Sequence, residues 1–563
     1  MKNKIVLFLV VPILFCWGAK IYAQSHDMIL EPFSTSGQFL DDQIRADTTS
    51  TGARQDTERV YILRRGGVYY FNSQIVVDGY DLHMRAENGS GPRPMINNLE
   101  NSTSGTYTST MFEVRGNILD FSNLAIVNWD ETQPSTLPDM GGIIVDGGGA
   151  GNTIMIDSCI LKGGYSATVR ANAAGKYFKL TNSIIANSGN GLRSNFGNGR
   201  SIDFRATSED SVLIQNCTLV NITDRAVRHF GTSQAPISNF VFDHNTVIND
   251  QATHGCLGLG LVNGKFQVTN SLFVNNFIFG YDTASHIRAV EFQDSGELTP
   301  GTADIWRMTF IVTAPNSDSA SATYDISNNY YSTSPEVKSM WANANPPVDY
   351  PLTPLTWYIS KQLGADSSTA FVELQDTIAF QDVPNIPLNA LAWYLNESLN
   401  PDRDKATTNF TADDDLDRRT LDYFNTTFNA SYGTTSQAYT GAENGYPAGD
   451  LNWYPSLKSQ WEQGVVLGIK DSKTLPTGFA LDQNYPNPFN PSTKIAYNVS
   501  KLSKIRLDVY NILGEHVATI VNKVQPAGKY TVNFDASNLS SGVYIYRLST
   551  GNHLFAKKMT LLK

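Results

Sequence analysis

The chain has 563 residues, a formal net charge of −11 and only 17% charged residues. The negative charge is spread along the chain with no basic block, which argues against a nucleic-acid partner. Few charges combined with abundant Gly, Asn, Ser, Thr and Tyr is the balance of an all-β extracellular chain whose turns need small polar residues.

In chain order, Lys2 and Lys4 precede an apolar run from Ile5 to Phe15 and a small-residue exit at Ala19 and Ala23. That order predicts a secretory signal peptide over 1–23. The run is too short to cross a bilayer as a helix and no later stretch is long enough, so the protein is expected not to span a membrane. Phe15 stands where a lipidation signal needs a small residue, which argues against an anchor at Cys16. Residues 24–58 read as an N-terminal extension. Past the leader only Cys159, Cys217 and Cys256 remain, an odd and sparse set for a disulfide framework.

An eight-residue pattern then returns with starts at Phe121, Ile156, Leu180, Ile214, Phe242, Val268 and Ile326. The first position is apolar, the second polar, the third usually Asn and the sixth apolar or aromatic. Such a step is a strand reaching a turn, because Asn tolerates left-handed backbone angles. The variable spacing fits coils that each make one circuit with loops of different length. Stacked coils place Asn123, Asn182, Asn216, Asn270 and Asn328 in one ladder, with Ser158 and His244 interrupting it. The architecture implied over 59–333 is a parallel β-helix. Cys159 and Cys217 fall in one column two coils apart, about 9.6 Å, too far for a disulfide.

The same residues, with Val60-Tyr-Ile-Leu-Arg-Arg-Gly-Gly-Val-Tyr-Tyr70 as a first coil, resemble the right-handed β-helix superfamily of pectate lyases and related polysaccharide-active proteins. The resemblance is specific for fold and unspecific for activity. Over 334–469 the repeat stops and Pro, Trp, Tyr and Asp dominate, which reads as an irregular cap region closing at Pro447-Ala-Gly-Asp-Leu-Asn-Trp-Tyr454. The acidic run Asp413 to Asp417 lacks the central Gly and terminal Glu of a calcium loop.

A linker at 470–480 introduces Gln483-Asn-Tyr-Pro-Asn-Pro-Phe-Asn-Pro-Ser-Thr493. Alternating runs follow: Ile495, Tyr497, Val499; Ile505, Leu507, Val509; Tyr530, Val532, Phe534; Val543, Ile545, with Gly514, Gly528, Gly542 and Gly551 at turn spacing. They predict a small immunoglobulin-like β-sandwich over 481–563. The Pro/Asn block, Val509-Tyr-Asn-Ile-Leu-Gly514, Leu539-Ser-Ser-Gly-Val-Tyr544 and the ending from Lys557-Lys558-Met559 to Lys563 closely resemble the type A C-terminal sorting domain of the type IX secretion system of Bacteroidetes and their relatives. That resemblance assigns the sorting signal to Asn484, Pro486, Asn487, Pro488, Gly514, Gly542 and Lys563. It also implies two partners, an outer-membrane translocon and a sorting protease that removes the domain, leaving the cargo released or at the outer surface.

For chemistry, Arg170, Arg193 and Arg228 lie thirteen or fourteen positions after the starts at Ile156, Leu180 and Ile214, so counting stacks them on neighbouring coils. Like charges side by side in a sheet repel, so such a ladder calls for anions, which an acidic polysaccharide supplies and Arg grips with paired hydrogen bonds. His229 beside Arg228 offers a proton carrier near neutral pH. Lys162, Asp146, Asp203 and Asp224 are supporting candidates. The resembled lyases use an Arg or Lys as base while calcium or another cation neutralises the uronate. Through that resemblance alone, Arg193, Arg228 and His229 become catalytic candidates and calcium a candidate cofactor; the residues themselves spell no metal-ligand set. Asp243-His244 and His254-Gly255 resemble acid–histidine and polygalacturonase motifs, but His244 stands in for a ladder Asn and the expected Asp triad is missing near His254. The leading expectation is a secreted or surface β-helix protein that binds acidic polysaccharide and cleaves it by β-elimination if it is an enzyme. The alternative is a non-catalytic adhesin or surface-layer component.

Overall fold

A computed structural model describes residues 26–467 and 478–563, except 52, 102–103, 106, 129–140, 190–198, 230–234, 253–254, 282–310, 314–321, 346–353, 356, 385, 397, 399–419, 501–502, 526–527 and 551–552. The leader expected over 1–23 and the acidic run 413–417 lie outside the described residues. The described chain falls into two units, one up to Val465 and one from Val466.

The seven repeat starts stand in one column. Phe121, Ile156, Leu180, Ile214, Phe242, Val268 and Ile326 pair in succession through parallel strands, and all are buried. Their strands belong to a ten-stranded parallel sheet running from Asp27–Leu30 to Thr323–Ser327. A second parallel sheet has eight strands, from Ile75–Asp78 to Ile311–Thr313, and a third has ten, from Val68–Phe71 to Phe371–Glu373. Each coil visits the first, third and second sheet in turn, which makes a parallel β-helix with its apolar residues turned inward.

The turn from the first to the third sheet is made by the third repeat position. Asn123, Ser158, Asn182, Asn216, His244, Asn270 and Asn328 all have φ between +50° and +58°. His244 therefore is a turn residue, with its Nδ1 3.2 Å from Asp243 Oδ1. The eighth position forms a second left-handed column at Asn187, Asn221, Asn249 and Asn275. Their amides link coil to coil, with Nδ2 of Asn221, Asn249 and Asn275 donating to the preceding Oδ1 at 3.1, 3.2 and 3.3 Å. Replacing Asn221 with Ala removes two ladder bonds and leaves a β-carbon in left-handed backbone; we expect a loss of about 2 kcal/mol, read by urea unfolding.

Both ends of the solenoid are covered. Helix Leu40–Ala46, within the stretch read as an N-terminal extension, buries Leu40 and Ile44 in the same core as the coils. At the other end, helices Pro335–Ala342 and Ile386–Tyr394 contribute Val337, Trp341, Leu391 and Tyr394. Residues 420–454, the last part of the region read as a cap with irregular loops, pack along the third sheet. The third sheet turns a mostly apolar column, Val127, Lys162, Ala186, Val220 and Ile248, away from the lumen, and Leu421, Phe424 and Phe428 pack against its apolar members. Asp450 accepts from Thr218 Oγ1 at 2.8 Å, and its N–H donates to Thr246 Oγ1 at 2.8 Å, mid-solenoid. The three cysteines are free and buried, as small core fillers.

The second unit is a two-sheet sandwich. A three-stranded antiparallel sheet (Ala480–Leu481, Ser492–Val499, Gly528–Asp535) and a four-stranded one (His516–Gln525, Ser503–Asn511, Gly542–Thr550, His553–Leu561) share one core. One strand has the opposite phase from that expected: Tyr544, Tyr546 and Leu548 are buried, while Val543 and Ile545 are 40% and 38% exposed. The tyrosines bury larger rings, and the Tyr546 hydroxyl finds its acceptor in Asp482 O at 2.7 Å.

Candidate functional site

The second sheet carries the charged face. Strands Ala167–Ala171, Arg200–Asp203 and Val227–Arg228 pair so that Arg170, Asp203 and Arg228 occupy successive rungs. Alternation sends Val169, Ile202 and Val227 into the core and this column outward. The rung between the two arginines is thus an aspartate. Arg193 lies outside the described residues.

Asp203 is fully buried beneath its neighbours. Arg228 donates Nε and Nη2 to its two carboxylate oxygens at 2.7 and 2.9 Å. Arg170 Nε stands 3.4 Å from Oδ2, and the Arg205 backbone N–H donates to Oδ1 at 3.1 Å. Alongside, Asp224 takes Arg200 at 2.8 Å and Arg225 at 3.5 Å. Among the described residues, five arginines and two aspartates gather here, Arg205 through its backbone N–H.

Burial lowers the Arg228 guanidinium to about 10 despite the opposing pull of Asp203. Arg170 is also lowered by burial, with Asp203 acting against it and Arg205 and Arg200 adding to the shift. The Arg170 Nε is buried and meets Asp203 at 3.4 Å, a longer contact than those of Arg228 with the same carboxylate.

The other candidates separate. The His229 ring is 2% exposed, and its Nε2 faces the carbonyls of Thr207 and Ala235 at 2.9 and 3.1 Å. Burial pushes it down to about 4, so at neutral pH it is an uncharged donor, in contrast to the expected proton carrier. Lys162 is buried on the third sheet, and Asp146 is buried near the end of a second-sheet strand. Asp203 and Asp224 are already neutralised by guanidinium groups. Among the described residues there is no group of three or more His, Cys, Asp or Glu that could hold a metal ion.

Sequence reasoning missed Arg200, Arg205 and Arg225. The readable signal was the Arg200-Ser-Ile-Asp203 and Asp224-Arg225 pairing of opposite charges, which a fixed count from each coil start passes over.

In the sandwich, the Pro/Asn block ties the ends of the unit together. Asn484 is buried and donates Nδ2 to Pro486 O and Thr493 Oγ1, both at 3.0 Å, while its N–H donates to Tyr546 Oη at 2.8 Å. Asn487 Oδ1 accepts from Thr560 N at 2.9 Å, and the Tyr485–Pro486 and Asn487–Pro488 bonds are cis. Lys563 N donates to Ser541 Oγ at 2.9 Å, and its Nζ to Ser537 O. Gly514 closes the turn between two strands with φ +83°, and Gly542 opens a strand. Beside Gly514, Ile512 and Leu513 are 73% and 78% exposed. No described helix is long and apolar enough to cross a membrane.

No curated protein matches this chain. Residues 483–561 match the family of secretion system C-terminal sorting domains, the stretch that holds the block, the Gly514 turn and the terminal strand. The chain is therefore a type IX secretion substrate that engages that machinery and is exported to the cell surface or beyond.

Proposed function

We propose that the exported solenoid binds an extracellular acidic polysaccharide along its second sheet. The observation that carries this reading is Arg170, a partly buried guanidinium whose contact with Asp203, at 3.4 Å, is longer than those of Arg228 with the same carboxylate, in a face where the described residues include five arginines and two aspartates. A carboxylate or sulfate offers it a closer contact, and charge-assisted pairs are the stronger kind. Binding is favoured over lyase-type cleavage, because His229 is buried and neutral and Arg228 is engaged by Asp203. After delivery, removal of the sorting domain by the secretion protease completes this reading.

The test incubates the purified chain with alginate, pectate and glycosaminoglycans, with calcium and with chelator, and follows both retention and the absorbance of unsaturated uronates. Retention without an absorbance rise is expected. A calcium-dependent rise identifies a lyase, and no retention on any polymer ends the proposal. Arg170→Ala is expected to weaken retention about tenfold or more, the loss of one charge-assisted contact.

A further inference from the structure

On the inner side of the rungs that carry the arginines, two carboxyl groups face the same small cavity. Asp146 and Glu209 are 1% and 3% exposed. They line the cavity with Asn152, Tyr177 and apolar Val169, Phe178, Ile202 and Phe204. The lumen is shaped around Glu209: a β-carbon at Gly175 would lie 1.9 Å from its Oε2, so its carboxyl occupies the space that a side chain there would fill.

Little solvates either group. Asp146 accepts from Gly148 N at 3.4 Å with the Asn152 amide beside it, and Glu209 Oε1 accepts from Thr207 Oγ1 at 3.5 Å. No hydrogen bond to Glu209 Oε2 is recorded among the described residues. The charges that bear on Glu209 are those of Asp146 and Asp210, both negative; Tyr177 is the other titratable side chain on the cavity wall. Among the described residues no cation bears on the pair, and Arg170 and Arg228 project from the opposite side of their strands.

We infer that Asp146 and Glu209 form a proton-binding site inside the solenoid that controls the arginine face. The inference rests on the binding reading above. Asp146 follows Val145, the rung partner of Arg170, and Glu209 follows the turn after Asp203, whose neighbour Phe204 lines the same cavity. Protonated, the pair stays in the apolar lumen and the rungs hold register. Ionised, two like charges without a counter-ion are driven toward water, which pulls at the strand ends that align Arg170 and Asp203.

The direction follows from the groups' environment. Burial raises Asp146 from 3.8 to about 7, and burial with the charge of Asp146 raises Glu209 from 4.5 to about 8. A carboxyl raised on folding contributes stability that is fully present below its unfolded value and lost as pH rises through the folded one. The stability that the pair contributes therefore declines from about pH 4 and is gone above about pH 8, while ionisation within the folded protein, which loosens the grip, runs through pH 7 to 8.

Dextran sulfate is a suitable probe, since its sulfate esters stay ionised throughout. The full chain is expected to bind it several-fold more weakly at about pH 9 than at about pH 6. The Asp146→Asn Glu209→Gln variant, which imitates the protonated pair, is expected to match the parent in acid and lose much less in base. A parent whose affinity does not change, or a variant that falls equally, overturns the switch. If dextran sulfate binds at neither pH, the arginine-face reading fails instead, and the proton site is judged by thermal unfolding. There the parent must lose more between the two pH values than the variant or either single substitution, and equal losses reject it.

Discussion

Deleting residues 481–563 leaves the protein in the periplasm, with cell-surface delivery falling to background. The block from Asn484 to Pro488 is not a loose tag that could be read from the remaining chain. It is bound to Thr493, Tyr546 and Thr560, so strands Ser492–Val499, Gly542–Thr550 and His553–Leu561 depend on it. Truncation removes the whole unit, whose core is separate from that of the solenoid. The solenoid, capped at both ends by its own helices, should remain folded after the deletion. Fractionation with a periplasmic marker reads the outcome; normal surface delivery of the truncated chain would refute the sorting role. Asn484→Ala alone, which unlatches Pro486 and Thr493, is expected to give partial retention.

Asp203→Ala costs about 3–5 kcal/mol, the range for removing one partner of a buried ion pair. The carboxylate is fully buried, bonded twice by Arg228 and paired with Arg170, and no other described carboxylate shares its column between them. Its loss leaves like charges two rungs apart with nothing between them. Thermal unfolding reads the cost. Asp203→Asn adds a second test, because it removes a negative charge from the face. If net charge alone attracts acidic polymers, this variant binds them more tightly. If Asp203 serves to hold the guanidinium groups in position, it binds them less tightly, which is the expected sign.

Much of the solenoid was legible because its repeat is physical before it is statistical. Each coil needs an apolar residue facing the lumen and a residue that accepts left-handed backbone two positions later, and both requirements leave marks at Phe121-Ser-Asn123 and Leu180-Thr-Asn182. The site was less legible. Counting thirteen residues from Leu180 leads to Arg193, whereas the rung beside Arg170 is Asp203, because the strand Arg200–Asp203 follows a longer connection. The phase of Gly542–Thr550 was also obscure, since Val543-Tyr-Ile-Tyr546 alternates apolar residues with aromatic ones and either set could face the core. The outward, mostly apolar column of the third sheet gave no warning of its cover, which comes from residues hundreds of positions later in the chain.

The number of residues between a third-sheet strand and the next second-sheet strand varies, with Ile160–Lys162 followed closely by Ala167–Ala171 and Ala125–Val127 followed only much later by Gly142–Asp146, while both asparagine columns keep their place. Residues can thus be added or lost beside the arginine face without changing the distance between rungs. A graft in this connection, for example a loop exchanged between the coils starting at Phe121 and Leu180, should alter which polymers are held while the spacing of the guanidinium groups stays that of the sheet. The solenoid in this sense is a frame on which recognition can be replaced piece by piece, and the sorting domain exports whatever version it carries.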